Sequence, residues 1–247
     1  ITMYIPGVAG DLVRAEYDAI TRAMLSPKRP LVAIVGGAKV SDKIGMIHEF
    51  INKADQILIG GAMANTFLEY KGYNMGKSRV EPGQHDVIRQ IYQAVEQKVG
   101  RERSDAFLLL PTDVAVAESP DSQERREVSV ANIGVNDMAL DIGMQTIERY
   151  TAALAHAGTI VWNGPVGLAE KSTFAIGSAR LSLAIAQNKQ VISVVGGGDT
   201  ADFVLKWDGH DGAAFSHVST GGGASLALMA GKKLPGIESL LDAYGLG

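Results

Sequence analysis
The sequence predicts an α/β protein: a Rossmann-like, doubly wound, mostly parallel sheet with helices on both faces. Two observations carry this. Short apolar runs rich in β-branched residues recur at 31–35, 56–59, 159–162 and 191–195. Each enters a turn of small residues, mainly glycine, and apolar residues at helical spacing resume beyond the turns at 36–43, 60–62 and 196–200. Strands alternating with helices form parallel neighbours through right-handed crossovers, so every strand-to-helix loop lands on the carboxyl edge of the sheet. Glycine turns far apart in sequence therefore meet there.

Taking the chain in order, residues 1–10 are apolar and punctuated by Gly and Pro, and Asp11 is placed to cap an amphipathic helix from Leu12 to Met24. Ser26-Pro27-Lys28-Arg29-Pro30 ends it. This helix either packs on the sheet or connects to another unit. Leu31 to Val35 reads as a strand buried on both faces, followed by Gly36-Gly37-Ala38-Lys39-Val40-Ser41-Asp42-Lys43 and a helix marked by Ile44, Ile47, Phe50 and Ile51. Lys39 and Lys43 are four residues apart and can reach the same side, although each alone also reads as a solvated lysine. Gln56 to Ile59 meets Gly60-Gly61-Ala62 before a helix that runs through Tyr70; residues 72–82 read as loop and 83–99 as helix.

Phe107 to Leu110 is a strand, and Thr112 to Ala117 continues an alternating pattern. Asp121 to Glu127 is polar, as at a hairpin tip, and Val128 to Ala131 is a short return strand. Met138 to Gly143 leads into a helix from Gln145 to Ala157. Thr159 to Trp162 delivers Asn163-Gly164-Pro165-Val166-Gly167-Leu168 to the shared edge, where such a turn can lie against a base or ribose. Glu170, just beyond, can accept hydrogen bonds from ribose hydroxyls or simply face water.

The stretch Val191 to Thr200 runs strand, Gly196-Gly197-Gly198-Asp199-Thr200, then helix. Glycines there let backbone N–H groups approach an anion at the positive end of a helix. Asp199 repels a bare phosphate, so it suits the magnesium that accompanies a nucleotide; as an isolated feature it is equally an N-cap of an ordinary turn. Phe215-Ser216-His217-Val218-Ser219 runs into Thr220-Gly221-Gly222-Gly223, a second triple-glycine turn before a helix from Ala224 to Ala230. His217 reads as a core side chain rather than a catalyst, and the other four histidines show no zinc spacing.

With 247 residues, 46% of them hydrophobic, the chain can bury one large core. Its net charge of −4 and lack of a basic stripe argue against a nucleic-acid partner. The absence of cysteine rules out disulfides and thiolate chemistry and suits a cytoplasmic location. Neither a membrane-length apolar run nor a signal peptide is present, and Ile1 in place of Met points to a fragment or processed product.

Four stretches together, Val35 to Lys43, Val161 to Gly167, Gly196 to Thr200 and Ser216 to Ser225, resemble the C-terminal, nucleotide-binding half of phosphoglycerate kinase, in order and over nearly the whole chain. The resemblance implies a linker-helix region at 1–26 and a nucleotide-binding domain at 27–247, with the phosphoglycerate-holding N-terminal domain absent. It implies that ATP or ADP binds with Mg2+ on Asp199. By the same resemblance Lys39 follows the transferring phosphoryl group and Lys43 grips the phosphates, near Gly36, Gly37 and Ala38. Gly197, Gly198 and Thr200 sit at the phosphates and Asn163 near the phosphates or the metal. Pro165, Gly167 and Leu168 lie by the sugar and base, with Glu170 at the ribose and Gly60, Gly61 and Leu140 walling the adenine. Thr220, Gly221 and Gly222 lie beneath the transferred phosphoryl, with Lys39 and Gly198 in the catalytic set.

Ala62 and Ala139 stand where that family usually has glycine, and Asp137 begins a run that usually starts with Trp. These changes imply a shifted or weaker adenine contact, not a different nucleotide. The implied reaction, reversible phosphoryl transfer from 1,3-bisphosphoglycerate to ADP giving 3-phosphoglycerate and ATP, needs no general base because the acceptor carboxylate is already ionised. A monomeric glycolytic enzyme is expected, the isolated chain being inactive. The alternative is a nucleotide-binding module without catalysis. A Rossmann dehydrogenase is excluded because no Gly-x-Gly-x-x-Gly fingerprint with its ribose acid is present.

Overall fold
The computed structural model describes residues 7–243, so residues 1–6 and 244–247, the outer ends of the expected linker region and expected nucleotide domain, lie outside the described residues. In chain order the elements are α1 (Asp11–Leu25), β1 (Leu31–Val35), α2 (Ile44–Lys53), β2 (Gln56–Ile59), α3 (Gly61–Tyr70), α4 (His85–Val99), α5 (Ser104–Phe107) and β3 (Leu108–Leu109). Then come β4 (Asp113–Ala117), β5 (Arg126–Ser129), β6 (Met138–Ile142), α6 (Met144–Ala155), β7 (Thr159–Asn163) and α7 (Ile176–Gln187). Last are β8 (Ile192–Gly196), α8 (Gly198–Asp208), β9 (His217–Val218), α9 (Gly223–Met229) and α10 (Pro235–Ala243).

Six strands form one parallel sheet in the order β3-β2-β1-β7-β8-β9. Because successive strand residues point to opposite faces, each strand serves two cores. Leu31, Ala33 and Val35 pack with Ile20 and Met24 of α1, Phe50 of α2 and Phe67 of α3. Val32 and Ile34 pack on the other face with Tyr150 and Leu154 of α6, Leu181 of α7 and Val204 of α8. Each large side chain buried this way contributes about 1.5–3 kcal/mol. Continuous apolar runs were the right sign of such strands. The order turns back between β1 and β7, the point at which a crevice opens beyond the strand ends.

Not all strands join that sheet. β5-β4-β6 form a separate antiparallel sheet, so the alternating stretch after Pro111 is the central strand, buried on both faces, of a second, smaller layer. Pairing is out of step between Ala115 and Val116: Ala115 faces Asp141 and Val116 faces Ala139, which leaves Leu140 as the extra residue of a bulge. The Phe107-to-Leu110 strand is also shorter than expected. Phe107 ends α5, and just Leu108 and Leu109 pair with β2.

Helix starts differ from the sequence reading in detail. Gly10, not Asp11, is the residue before α1, and Asp11 makes no capping bond. Likewise Gly197 precedes α8 at φ +89°, so Asp199 lies in the first turn rather than at the cap. The first helix packs on α9 and on β7 and β8 of the sheet, as its apolar side allows. Among the described residues no helix is long and apolar enough to cross a membrane.

Candidate functional site
Val35, Ile59, Asn163 and Gly196 end their strands in register: Val35 is paired with both Ile59 and Asn163, and Asn163 with Gly196. Four loops therefore leave the sheet side by side. Their closeness explains the glycines. A Cβ on Gly36 would come within 2.1 Å of the Pro165 carbonyl oxygen, and one on Gly61 within 2.7 Å of that of Gly37. The amides follow suit: Gly36 donates to Asn163 O, Gly37 to Pro165 O, Gly60 to Val35 O and Gly61 to Val166 O, all at 2.8–3.0 Å.

Gly36 and Gly60 border neither of the two cavities over the strand ends; they let loops pack, and their amides, with those of Gly37 and Gly61, are spent on the protein itself. Amides free for an anion come instead from α8, whose first intrahelical bond from the loop side is Ala201 N–H to Gly197 O, leaving residues 198–200 ahead of it.

Two adjoining cavities lie over the strand ends. The first, about 340 Å³, is lined by Lys39, Lys43, Asn163, Gly197, Gly198, Asp199 and Thr200, with Gly222 across from them. Gly37, Ala38, Pro165 and Asp199 border both cavities. The second, about 480 Å³, adds Gly61, Leu140, Gly167, Leu168 and Glu170. Leu140 reaches this wall because of the β6 bulge, and its carbonyl is held by the Leu168 amide at 2.8 Å.

Charge is unevenly distributed within the first cavity. Lys39 is exposed and forms no ion pair among the described residues. Lys43 is not the solvated helix lysine that its spacing suggested. It sits at the end of a short 3-10 turn (Ser41–Lys43) and donates to both the backbone O, at 3.1 Å, and the side-chain Oδ1 of Asn163. Burial pulls its ammonium down to about 8, against the attraction of Asp199 and Asp42. Among the described residues Asn163 Nδ2 is buried without a hydrogen-bond partner, beside Gly197. Thr200 is buried, and its hydroxyl oxygen accepts the Gly164 amide at 2.7 Å.

Thr220 and Gly221 are not in this group. They line a separate cavity of about 300 Å³ between α1 and α9. Glu16 of α1 explains why: its carboxylate accepts the Thr220 amide at 2.7 Å and lies 3.2 Å from His217 Nε2. Thus His217 is not a core side chain but the partner of a helix carboxylate. Burial raises the Glu16 carboxyl, but bonds from Ser219, Thr220 and His217 hold it below its ordinary value overall.

Several lining residues had no sequence signal. Asp42 and Leu226 border the first cavity, and Lys77, Arg79, Pro120 and Met138 the second. Lys77 and Arg79 fall in a stretch legible as loop alone. No cluster of three or more metal-ligating side chains exists among the described residues, so a metal here would rely on Asp199 and on ligand oxygens. That donor set fits magnesium, which commonly keeps one or two carboxylates and fills its shell with phosphates and water.

A family model described as phosphoglycerate kinase matches residues 1–232. Phosphoglycerate kinase of Pelotomaculum thermopropionicum is 44% identical over 242 residues, covering 97% of this chain and 59% of the relative. That of Chloroflexus aurantiacus is 45% identical over 247 residues, covering 98% of this chain and 60% of the relative. Among solved structures, phosphoglycerate kinase from Coxiella burnetii superimposes with a TM-score of 0.86 at 39% identity, over 95% of this chain and 59% of the other. The Pyrococcus horikoshii enzyme gives 0.81 at 31% identity, over 100% and 60%. The chain thus spans about three fifths of the length of the relatives it matches. With its matching fold, its merged strand-end loops and this extent of likeness, the chain belongs to the phosphoglycerate kinase family.

Proposed function
We propose that this chain is the nucleotide-binding domain of a glycolytic, cytoplasmic, monomeric kinase that moves a phosphoryl group reversibly from 1,3-bisphosphoglycerate to ADP. The observation that carries the reading is that Lys39, Asp199 and the start of α8 line one cavity that opens directly into a second, largely apolar one. Phosphates belong in the first and the purine in the second. Lys43, the buried Asn163 amide and the α8 amides bind the phosphate chain, while Leu140, Leu168 and Pro165 flank the base and Glu170 the ribose. Asp199 would hold Mg2+, which supplies positive charge to the phosphate oxygens when bound.

Phosphoglycerate would be held by a further domain facing this cavity, so the chain alone is expected to bind nucleotide without turnover. Lys39 offers an ammonium group to the phosphoryl oxygens as their charge shifts in transfer. Asp42 and Asp199 are the carboxylates of the first cavity, and no histidine lines it. This agrees with a reaction whose acceptor carboxylate needs no proton removed.

Calorimetry with ADP tests the reading. ADP is expected to bind, magnesium to tighten it by about tenfold, and Asp199→Asn to remove that increment. Unchanged magnesium dependence in the variant would reject Asp199 as the ligand. Lys43 adds a pH signature. A bound phosphate raises the ammonium above its free value of about 8, so binding takes up a proton in more alkaline solution. Affinity for MgADP is therefore expected to be level below about pH 8 and to fall above it, and the fall should vanish in Lys43→Met.

A further inference from the structure
The loop that carries Lys39 is held at both ends. On the β1 side the Gly37 amide donates to Pro165 O, and the Met63 amide donates to Gly37 O, both at 2.9 Å. On the α2 side the hold is a carboxylate from the loop between α3 and α4. Glu81 Oε2 accepts the Val40 amide at 2.7 Å and the Ser41 amide at 3.2 Å, and Glu81 Oε1 accepts the Ser41 hydroxyl. Ala38 and Lys39 bridge the two holds.

Glu81 acts here as a helix cap supplied from elsewhere in the fold. Residues 41–43 form a 3-10 turn that runs into α2, and neither Val40 before the turn nor Lys43 before α2 caps with its own side chain. The first amides of such a run have no partner within it and lie at the positive end of its dipole, so an acid is favoured there on both counts. Its mounting is rigid. The Glu81 amide donates at 3.0 Å to Oγ1 of Thr66, a fully buried residue of α3, and Val80 beside it packs on the core. Burial raises the Glu81 carboxyl, but the bonds from Ser41 and Val40 and the charge of Lys39 hold it below its ordinary value overall. With those amides taken by the protein, the start of α2 offers no phosphate site, and Lys39 is what the loop presents to the first cavity.

We propose that Glu81 is a positioning residue for phosphoryl transfer: its carboxylate fixes residues 40 and 41, and through them the place from which Lys39 reaches the transferring group. The inference rests on the reading of Lys39 as the lysine that follows that group. A lysine side chain is a flexible stem with a point charge at its tip, so the position of its backbone sets the volume that the ammonium can sample. Misplacement by about 1 Å of a group that must meet the transition state can cost about a hundredfold in rate, and loosening one of two holds is expected to cost about tenfold.

Single-turnover rates of the full-length kinase, read together with its Kd for MgADP, test this. Glu81→Ala is expected to lower the rate by about tenfold and to leave the Kd within about twofold. Ser41→Ala, which removes the hydroxyl bond from an exposed residue, should lower the rate by about threefold. Glu81→Gln should stay within about threefold of normal, because its carbonyl oxygen accepts the two amides and its NH2 donates to the Ser41 hydroxyl. The decisive comparison repeats the two alanine substitutions on Lys39→Ala: with the lysine gone, each should change the rate by less than about twofold. A fall as large there as in the unsubstituted enzyme would show a general loosening and overturn the inference. So would an unchanged rate in Glu81→Ala, or an ADP affinity that falls in step with the rate. If Glu81→Ala does not fold, the same comparison with Ser41→Ala decides alone. A normal rate in Lys39→Ala by itself would overturn the reading of Lys39, and the inference with it.

Discussion
Lys39→Ala in the full-length kinase is expected to lower kcat by about a hundredfold or more while the Kd for MgADP stays within about threefold, the typical cost of removing one donor to developing charge. Lys39 is exposed on the loop after β1 and makes no ion pair among the described residues, so its removal takes no support from the fold. On the proposed reading it is not the residue that holds the resting diphosphate. Lys43 is already anchored on Asn163 and partly buried, and the α8 amides face the same cavity. On that reading Lys39 adds mobile charge at the cavity border that can follow a phosphoryl group as it leaves. Single-turnover rates and ADP titrations on the same variant separate the two roles. Near-normal turnover would reject the assignment, and a matching collapse of ADP affinity would move Lys39 into the binding set.

The second large effect is on stability. Arg125→Ala is expected to cost about 3–5 kcal/mol of unfolding free energy, because it strands a buried carboxylate. Arg125 precedes β5 and is 12% exposed; its guanidinium donates to Asp141, which is fully buried, at 2.8 Å. It also donates to the Ile142 and Thr173 carbonyls at 3.0 and 3.2 Å. Asp141 accepts the Gly177 amide as well, so one ion pair ties the antiparallel sheet to α7. A Cβ on Gly167 would come within 2.2 Å of Asp141 Oδ1, so the loop after β7 is packed against the same group.

Burial pushes the Asp141 carboxyl up to about 6 even with Arg125 and the Gly177 amide opposing it. Without the guanidinium it rises further. The folded variant then binds a proton that the unfolded chain, at the ordinary carboxylate value, releases. Relative to the unsubstituted protein, the variant therefore recovers stability as pH falls toward about 6, below which both take up the proton and the difference is level. Urea unfolding at several pH values checks this. A loss that is small, or flat across that range, would show that the pair is not what holds the two layers.

Much of the site was legible because glycine turns and β-branched runs are local signals. The runs at Leu31 to Val35 and Thr159 to Asn163, with the Gly197-to-Thr200 start of α8, appear in the structure within a residue or two of their expected bounds. Lys39, Lys43, Asn163 and Asp199 do share one cavity. What failed was inference about partners. Gly36 reads as a glycine near the phosphates and Gly60 as part of the adenine wall, but only the fold shows that their amides go to the carbonyls of Asn163 and Val35. Thr220 looks like part of a phosphate turn until Glu16, 204 residues away, takes its N–H. Leu140 reaches the wall through a bulge that no periodicity reports, since an extra residue in one strand exists only against its neighbour.

From the chain alone came the alternation of strand and helix, the carboxyl-edge meeting of its loops and the identity of its charged groups. These depend on side-chain pattern and backbone freedom within a few residues. Tertiary structure decided which amides and charges are spent. It paired Lys43 with Asn163, committed Glu16 to Thr220 and His217, and left Lys39 exposed at the border of the first cavity. Whether a polar group is available is set by whatever lies within about 3 Å of it, and that distance is a property of the packed fold.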